Sequence, residues 1–559
     1  MPFKVFYNMQ NSKINFIPVL VIILLLPVTD TRAQLKSLQD SLQPIDKLFE
    51  GINTGMPGGV LSISRNGQVL YQKAFGMADL EHNVINTTET IFEAGSVSKQ
   101  FTAASVLLLI KEGKIGLKDD IHKYFPDFPD YGHSITIEHL LHHTSGLRDW
   151  GSVAAIGGWP RGTRKYTPAH VKEIIWRQRQ LNFIPGSEYS YSNSNYNMLM
   201  FLVEKVSGQT FQQFTSEHIF IPIGMTHTRW RDNYNAVVPG RAIAYGKEVS
   251  GYEQNMPFEN TFGHGALLTT VGDLEKWNRR WTNNTLGADI NTMQRTKTTL
   301  NNGATISYAC GVVVDSLNGF ESISHTGATA GYRALLAYYP QKQLSIVFLS
   351  NSANAEIGRI NNTIGDIFLG KVLRSNLTEE IKGIALAKER ISGKAGMYQH
   401  AQLPDLQEFE IRNDSLVFKG WKTALIPIAE NKFVHESTQV EFPAGIEKPA
   451  YVFIKWPDGD TATYYRVKKV VPGTASFGDY TGNYHSDEAD VTLTLLIKSG
   501  KLQVLMHPDT YLPLDEPLED GFFDEDGSYY RFTRNSKKKV TGFTITVSRV
   551  RNLLFTKIN

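Results

Sequence analysis

The chain is poor in several features that would narrow its role quickly. Its 559 residues hold a single cysteine, Cys310, so no internal disulfide can form. No cysteine follows the N-terminal apolar run to accept a lipid, and a chain of this kind can occupy an oxidising compartment without using disulfides. Neither sign of charge is in excess. The 57 basic and 55 acidic residues leave +2, which gives no electrostatic reason to expect a nucleic acid or a strongly acidic partner. The apolar run Ile14–Leu26 falls short of the ~20 residues that span a bilayer. It follows Lys4 and Lys13 and precedes Thr31-Arg32-Ala33, which offers small residues at the two positions a signal peptidase reads. Residues 1–33 are therefore expected to be a cleaved export signal rather than an anchor helix. The mature protein would then be periplasmic or secreted, with no stable membrane span. His139, His142 and His143 have the spacing of a helical metal site, but no acidic base accompanies them as in His-Glu-x-x-His. A metallohydrolase is disfavoured, and no cofactor is expected.

What is present describes a soluble globular protein: 41% hydrophobic and 20% charged residues, with a length that predicts two or three domains. Val60–Ser64, the turn pair Asn66-Gly67 and Val69–Tyr71 predict a hairpin. Residues 97–112 take on helical character, with Phe101, Ala104, Ser105, Leu108 and Leu109 on one face and Gly113 at the end. Thr270-Val271-Gly272-Asp273 predicts a capping box. Tyr332–Leu349, split at Pro340-Gln341-Lys342-Gln343, predicts a second hairpin. Hairpins at both ends with helices between predict an α+β domain over residues 34–385, in which N- and C-terminal strands share one antiparallel sheet. Beyond it the pattern is strand-like and repeats. Gly396-Met397-Tyr398 matches Gly482-Asn483-Tyr484, Leu416-Val417-Phe418 matches Leu502-Gln503-Val504, and Leu425-Ile426-Pro427 matches Tyr511-Leu512-Pro513, all at the same offset. Two small barrel-like all-β domains are expected, at 390–472 and 473–559.

The chemistry centres on Gly95-Ser96-Val97-Ser98-Lys99. A serine at a helix start with a lysine one turn on brings an amine to a hydroxyl, and the helix N-terminus favours an oxyanion. Lys99 would act as base once burial lowers its pKa. Ser-x-x-Lys recurs at Ser536…Lys539, inside a lysine run, where it is a solvated face. Tyr191-Ser192-Asn193 follows Pro185-Gly186 in a turn-rich loop. Tyr191 would relay the proton from Ser96 to a leaving group, and Asn193 would donate to the substrate amide. His325-Thr326-Gly327-Ala328 reads as a strand edge with small residues, where the Ala328 amide would pair with that of Ser96 as an oxyanion hole. Lys498-Ser499-Gly500, a rival third motif, reads as a hairpin turn.

In that order, Ser96-x-x-Lys99, Tyr191-x-Asn193 and His325-Thr-Gly327 resemble the serine β-lactamase-related family, in its class C, D-peptidase and esterase branch. Leu140-Leu141-His142-His143-Thr144-Ser145-Gly146-Leu147 and Gly263-His264-Gly265 look like the same family, and the resemblance covers roughly residues 45–370. It implies a helical subdomain packed on an α/β sheet, a site between them, and an acyl-enzyme mechanism without metal. The chain departs from the pattern at His325, where β-lactamases and transpeptidases carry lysine. A mostly neutral imidazole holds a carboxylate poorly. That points away from a dedicated β-lactamase or carboxypeptidase and toward an aminopeptidase or esterase, unless Arg333 restores the charge. With two trailing barrels the chain is similar to the D-aminopeptidases of the family, whose last barrel lends a loop to the site; no loop can be assigned here from sequence. The expected activity is hydrolysis of amides or esters of short or D-amino-acid-containing peptides. β-Lactamase or DD-carboxypeptidase action and a penicillin-recognising sensor are the rivals.

Overall fold

The computed structural model describes residues 42–370, 383–435, 438–456, 461–468, 477–506 and 510–558, so the export-signal expectation lies outside the described residues. Strands β1 (Gly59–Arg65) and β2 (Gln68–Phe75) form the first hairpin. Its turn residues Asn66 and Gly67 both adopt left-handed backbone, φ 53° and 75°, which is why that pair is favoured there. Strands β3 (Val313–Leu317), β4 (Phe320–Thr329), β5 (Tyr332–Tyr339) and β6 (Leu344–Ser350) complete a six-stranded sheet in the order β3-β4-β5-β6-β1-β2. Every pairing is antiparallel, and Gly59 stands opposite Ser350, so the two ends of the domain meet in the sheet's centre.

Side chains alternate across this sheet with the period of two that a strand imposes. Leu61, Ile63, Leu335, Ala337, Ile346 and Phe348 face one layer, with Ile45, Phe49, Ile360 and Ile364. Val60, Ala334, Leu336, Val347 and Leu349 face the main core, which holds the helices. Helix α1 (Lys99–Lys111) lies in that core and touches α2 (Asn193–Ser207). The sequence predicts one apolar face for α1, yet every residue from Lys99 to Leu107 is buried. Its polar side chains are satisfied internally: Thr102 donates to the Gly263 carbonyl (2.7 Å) and Ser105 to that of Phe101 (2.9 Å). Helix α3 (Val271–Asn283) begins at Thr270, whose hydroxyl accepts from the Asp273 amide at 3.2 Å. The expected capping box is only half made. The Asp273 carboxylate binds the His227 amide and the Thr228 hydroxyl instead of reaching back.

The C-terminal repeat becomes two meander sheets of eight and nine strands. In each, the first strand pairs with the last: Gly396–His400 with Thr461–Val467, and Gly482–Ser486 with Val550–Ile558. Among the described residues no ladder joins Ser415–Phe418 to Ile426–Pro427, or Thr510–Pro513 to Asp515–Leu518, so each sheet is a half-barrel with a seam. The repeat extends to detail. Tyr398 and Tyr484 are both fully buried, and each hydroxyl donates to the carbonyl four residues back, at 2.8 and 2.7 Å. Lys498-Ser499-Gly500 is the tight turn between Val491–Lys498 and Lys501–Met506, with Ser499 and Gly500 at φ 52° and 75°.

Candidate active site

Ser96 sits in a 3₁₀ turn, Gly95–Ser98, that feeds directly into α1. The turn is pressed against β4. A Cβ on Gly95 would lie 2.8 Å from the Ala328 nitrogen, and one on Gly327 would lie 2.0 Å from the Ala94 carbonyl oxygen. Both positions therefore need glycine, and Gly95 also has φ 51°. β3 pairs with β4 only as far as Ser324. From His325 to Thr329 one edge of β4 has no partner strand among the described residues, and the Ala328 amide lies beside the turn that carries Ser96.

Lys99 is fully buried, and its Nζ has three neighbours: Ser96 Oγ at 3.2 Å, Asn193 Oδ1 at 2.9 Å and the His264 carbonyl at 2.6 Å. Burial holds its pKa well below the ordinary lysine value, and the positive charges of Arg161 and Arg549 push the same way against Asp149. A neutral amine has two N–H groups and one lone pair. The amide oxygen and the carbonyl can only accept, so they take both N–H groups, and the lone pair is left for the Ser96 hydroxyl. The Asn193 Oδ1 orients Lys99, its backbone amide donates to Asp149 Oδ2 at 2.7 Å, and the side-chain nitrogen expected to donate to a substrate amide is engaged by neither contact. Its Nδ2 has no acceptor among the described residues.

The Tyr191 hydroxyl is buried and has no hydrogen-bond partner among the described residues. Burial pushes its pKa up, and the nearby Ser96 hydroxyl draws it part of the way back, so the group is a protonated phenol at neutral pH. Lys99 Nζ lies 4.7 Å from its ring centre. His143 backs the ring at 4.3 Å. Nδ1 of His143 accepts from the Ser192 amide (3.2 Å) and faces Asn195 Nδ2 (3.0 Å); complete burial holds this imidazole neutral. The other two histidines of the stretch are engaged elsewhere: His139 caps its own helix through Thr136, and His142 faces the Tyr308 carbonyl at 3.1 Å. The three rings serve three separate sets of partners.

His325 is buried, and its pKa is lowered to about 4 chiefly by burial. Its Nδ1 donates to the Thr326 carbonyl at 2.6 Å, which leaves Nε2 to accept from the Tyr308 hydroxyl at 3.1 Å. Both ring nitrogens are therefore occupied. Arg333 donates through Nη1 to the Ala330 and Tyr332 carbonyls, both at 2.8 Å. It lines a cavity of about 430 Å³ with Arg161, Met256, Glu259, Ala328 and Ala330.

Asp149 and Arg161 carry no sequence signal, yet both contribute charge to this site, and His264, from the Gly263-His264-Gly265 stretch, contributes its carbonyl. The turn between β7 (Val540–Val547) and β8 (Val550–Ile558) of the last half-barrel also reaches Tyr191. Its Arg549 guanidinium lies 5.0 Å from the centre of the Tyr191 ring. The Arg549 carbonyl accepts from Asn182 Nδ2 (2.9 Å) and from the Asp149 amide (3.3 Å). Nothing local in Val547-Ser548-Arg549 marks it as a neighbour of Tyr191, far earlier in the chain.

The sheet, the helical layer against it and the site in the seam between them are those of the β-lactamase and penicillin-binding-protein fold, here followed by two half-barrels. The chain belongs to the β-lactamase family: the model described as Beta-lactamase matches residues 45–365. It is 26% identical over 475 residues to a D-aminopeptidase of Brucella anthropi, covering 80% of this chain and 82% of that protein. It is 28% identical over 332 residues to a penicillin-binding protein of Bacillus subtilis (strain 168), covering 56% and 72%. Among solved structures, the octameric penicillin-binding protein homologue from Pyrococcus abyssi superposes with a TM-score of 0.52 at 20% identity, over 85% of this chain and 99% of that one. The D-amino acid amidase from Ochrobactrum anthropi SV3 gives 0.51 at 18% identity, over 59% and 98%. These likenesses establish the fold.

Proposed function

We propose that this chain is a serine hydrolase that cleaves amide or ester bonds of short peptides, including peptides built on D-amino acids, through an ester formed on Ser96. The observation that carries the reading is the partner set of Lys99, which uses both N–H groups of a neutral amine and aims its lone pair at Ser96. Lys99 takes the hydroxyl proton as Ser96 Oγ bonds to the substrate carbonyl carbon. The oxygen that gains charge is received by the amides of Ser96 and Ala328. Tyr191 gives its proton to the departing nitrogen or oxygen as the scissile bond breaks, and the proton on Lys99 restores the phenol. Water then attacks the Ser96 ester and releases the acid by the reverse relay. Relatives named D-aminopeptidase, one of them aligned over most of this chain, support the peptide and D-amino-acid side of the reading.

The test is a steady-state panel on purified protein: D- and L-alanine p-nitroanilides, D-Ala-D-Ala peptides, nitrocefin and short p-nitrophenyl esters. At least one amide or ester should turn over, and Ser96→Ala should reduce that turnover by about 10³-fold or more, the scale on which removing a covalent nucleophile acts. Turnover that survives Ser96→Ala would end the reading.

A further inference from the structure

Resting on Ser96 as nucleophile and Tyr191 as proton donor to the leaving group, we infer that the cavity at the end of β4 receives the acyl side of the substrate. Arg333 there selects acyl groups that carry a carboxylate and disfavours those that carry a free ammonium.

Position gives the side. The edge of β4 left open from His325 to Thr329 is where a substrate backbone can pair. The Tyr191 ring lies 6.2 Å from the His325 ring, so the departing atom, which takes its proton from Tyr191, belongs at the His325 end of that edge. The opposite end, Ala328-Thr329-Ala330, opens on the cavity of about 430 Å³, a volume in the ~300–1,000 Å³ range of ligand sites. Ala328 belongs to both places: its amide lies beside the Ser96 turn, and the residue lines the cavity. An acyl group whose carbonyl oxygen rests on that amide therefore extends into the cavity, while the leaving group points away from it.

Charge gives the chemistry. Among the described residues three charged side chains line the cavity: Arg161, Glu259 and Arg333. Glu259 is buried, and both its carboxylate oxygens take N–H groups of Arg161, Oε2 from Nε at 2.9 Å and Oε1 from Nη2. That pair is closed, so no carboxylate is left over for an ammonium. Arg333 is half-buried, and its Nη1 is spent on the Ala330 and Tyr332 carbonyls, which fixes the guanidinium plane. Its Nε and Nη2 have no partner among the described residues. Burial draws its pKa down with no carboxylate to offset the shift. The lining therefore holds one uncompensated positive charge in a fixed geometry, and the N–H groups of a guanidinium match a planar anion. An ammonium placed there meets a like charge and no counter-ion. An acyl unit with a free N-terminal amine, the substrate of an aminopeptidase, is the poorer fit.

The experiment measures kcat/KM on the full chain for three p-nitroanilides: that of acetyl-D-glutamic acid, that of acetyl-D-glutamine, and that of D-glutamine with its amine free and charged. The first two have the same shape and differ by one charge. The parent chain should prefer the glutamate anilide over its glutamine counterpart by about 10- to 100-fold, the scale of a charge-assisted hydrogen bond. It should also prefer the acetylated glutamine over the free amine. Arg333→Met should bring the first ratio near one, Arg333→Lys should keep part of it, and Arg333→Glu should invert it. Because Nη1 also holds the turn between β4 and β5, the variants are read by this ratio and not by absolute rate, and the order of substrates in the parent chain needs no variant. A parent chain that favours glutamine or the free amine, or an unchanged ratio in Arg333→Met, would overturn this assignment and leave Ser96 untouched. So would labelling of Ser96 by a fluorophosphonate with none of the three anilides turned over. Failure of that labelling would overturn the nucleophile and this inference together.

Discussion

Lys99 is the residue on which the proposed chemistry turns. A fully buried amine with two acceptor-only partners and one hydroxyl is stable in the neutral form only because its surroundings disfavour the charge. That has a consequence for stability. In the unfolded chain the same amine stays protonated up to a pH of about 10.4. Between the folded pKa and that value the unfolded state binds one more proton, so stability gained from this group rises with pH across the window. Lys99→Met has no such contribution. The stability of the parent chain relative to Lys99→Met should therefore rise with pH above the lowered folded pKa until about 10, as measured by denaturant unfolding at several pH values. A difference that does not change with pH would mean that Lys99 is charged in the folded protein. The same residue sets an acid limit on activity, because protonating Lys99 removes the lone pair that faces Ser96.

At the scale of elements, what the sequence made legible was what local spacing encodes. Asn66-Gly67 and the alternation around it specify the first hairpin, and Tyr332–Leu349 the second. Ser96 and Lys99 are one turn apart, so a single stretch of chain brings hydroxyl and amine together. The half-barrel repeat is visible because each copy must bury the same tyrosine in the same way. Tyr191, by contrast, comes from a loop nearly a hundred residues away, and its place beside Ser96 was legible only through resemblance to a family. The rest depends on tertiary packing. α1 reads as amphipathic, yet it is enclosed on all sides because sheet and helical layer close over it. Asn193 reads as a substrate donor; the structure adds that its oxygen faces Lys99. Gly327 reads as a small residue at a strand edge; the structure adds that the Ala94 carbonyl fills the place of a side chain, which holds β4 and the Ser96 turn together. Arg549 was not legible at all, since a two-residue turn in a distant β-domain has no periodicity and no motif.

At the scale of the molecule, the last half-barrel packs into the first domain and reaches the candidate site. Its apolar residues, among them Tyr484, Phe532 and Phe543, belong to the same continuous core as α1 and α2. The junction is fixed by Arg148, whose side chain has 0% exposure and donates to Glu488, Gln178 and the Arg551 carbonyl. Glu488→Ala would leave that guanidinium buried without its counter-charge, and such losses cost about 3–5 kcal/mol. Chemical unfolding of this variant should show a loss of that size, with a smaller one for Glu488→Gln, which keeps an acceptor oxygen. A loss below about 1 kcal/mol, the level of an exposed pair, would show that the junction does not depend on this contact.

The most direct test of the account is mass spectrometry of the acid-quenched protein during turnover of a p-nitrophenyl ester. The account predicts an intact mass raised by one acyl group, mapped by peptide digestion to Ser96, absent in Ser96→Ala and formed far more slowly in Lys99→Met. Turnover with no covalent adduct, or an adduct on any residue other than Ser96, would contradict it.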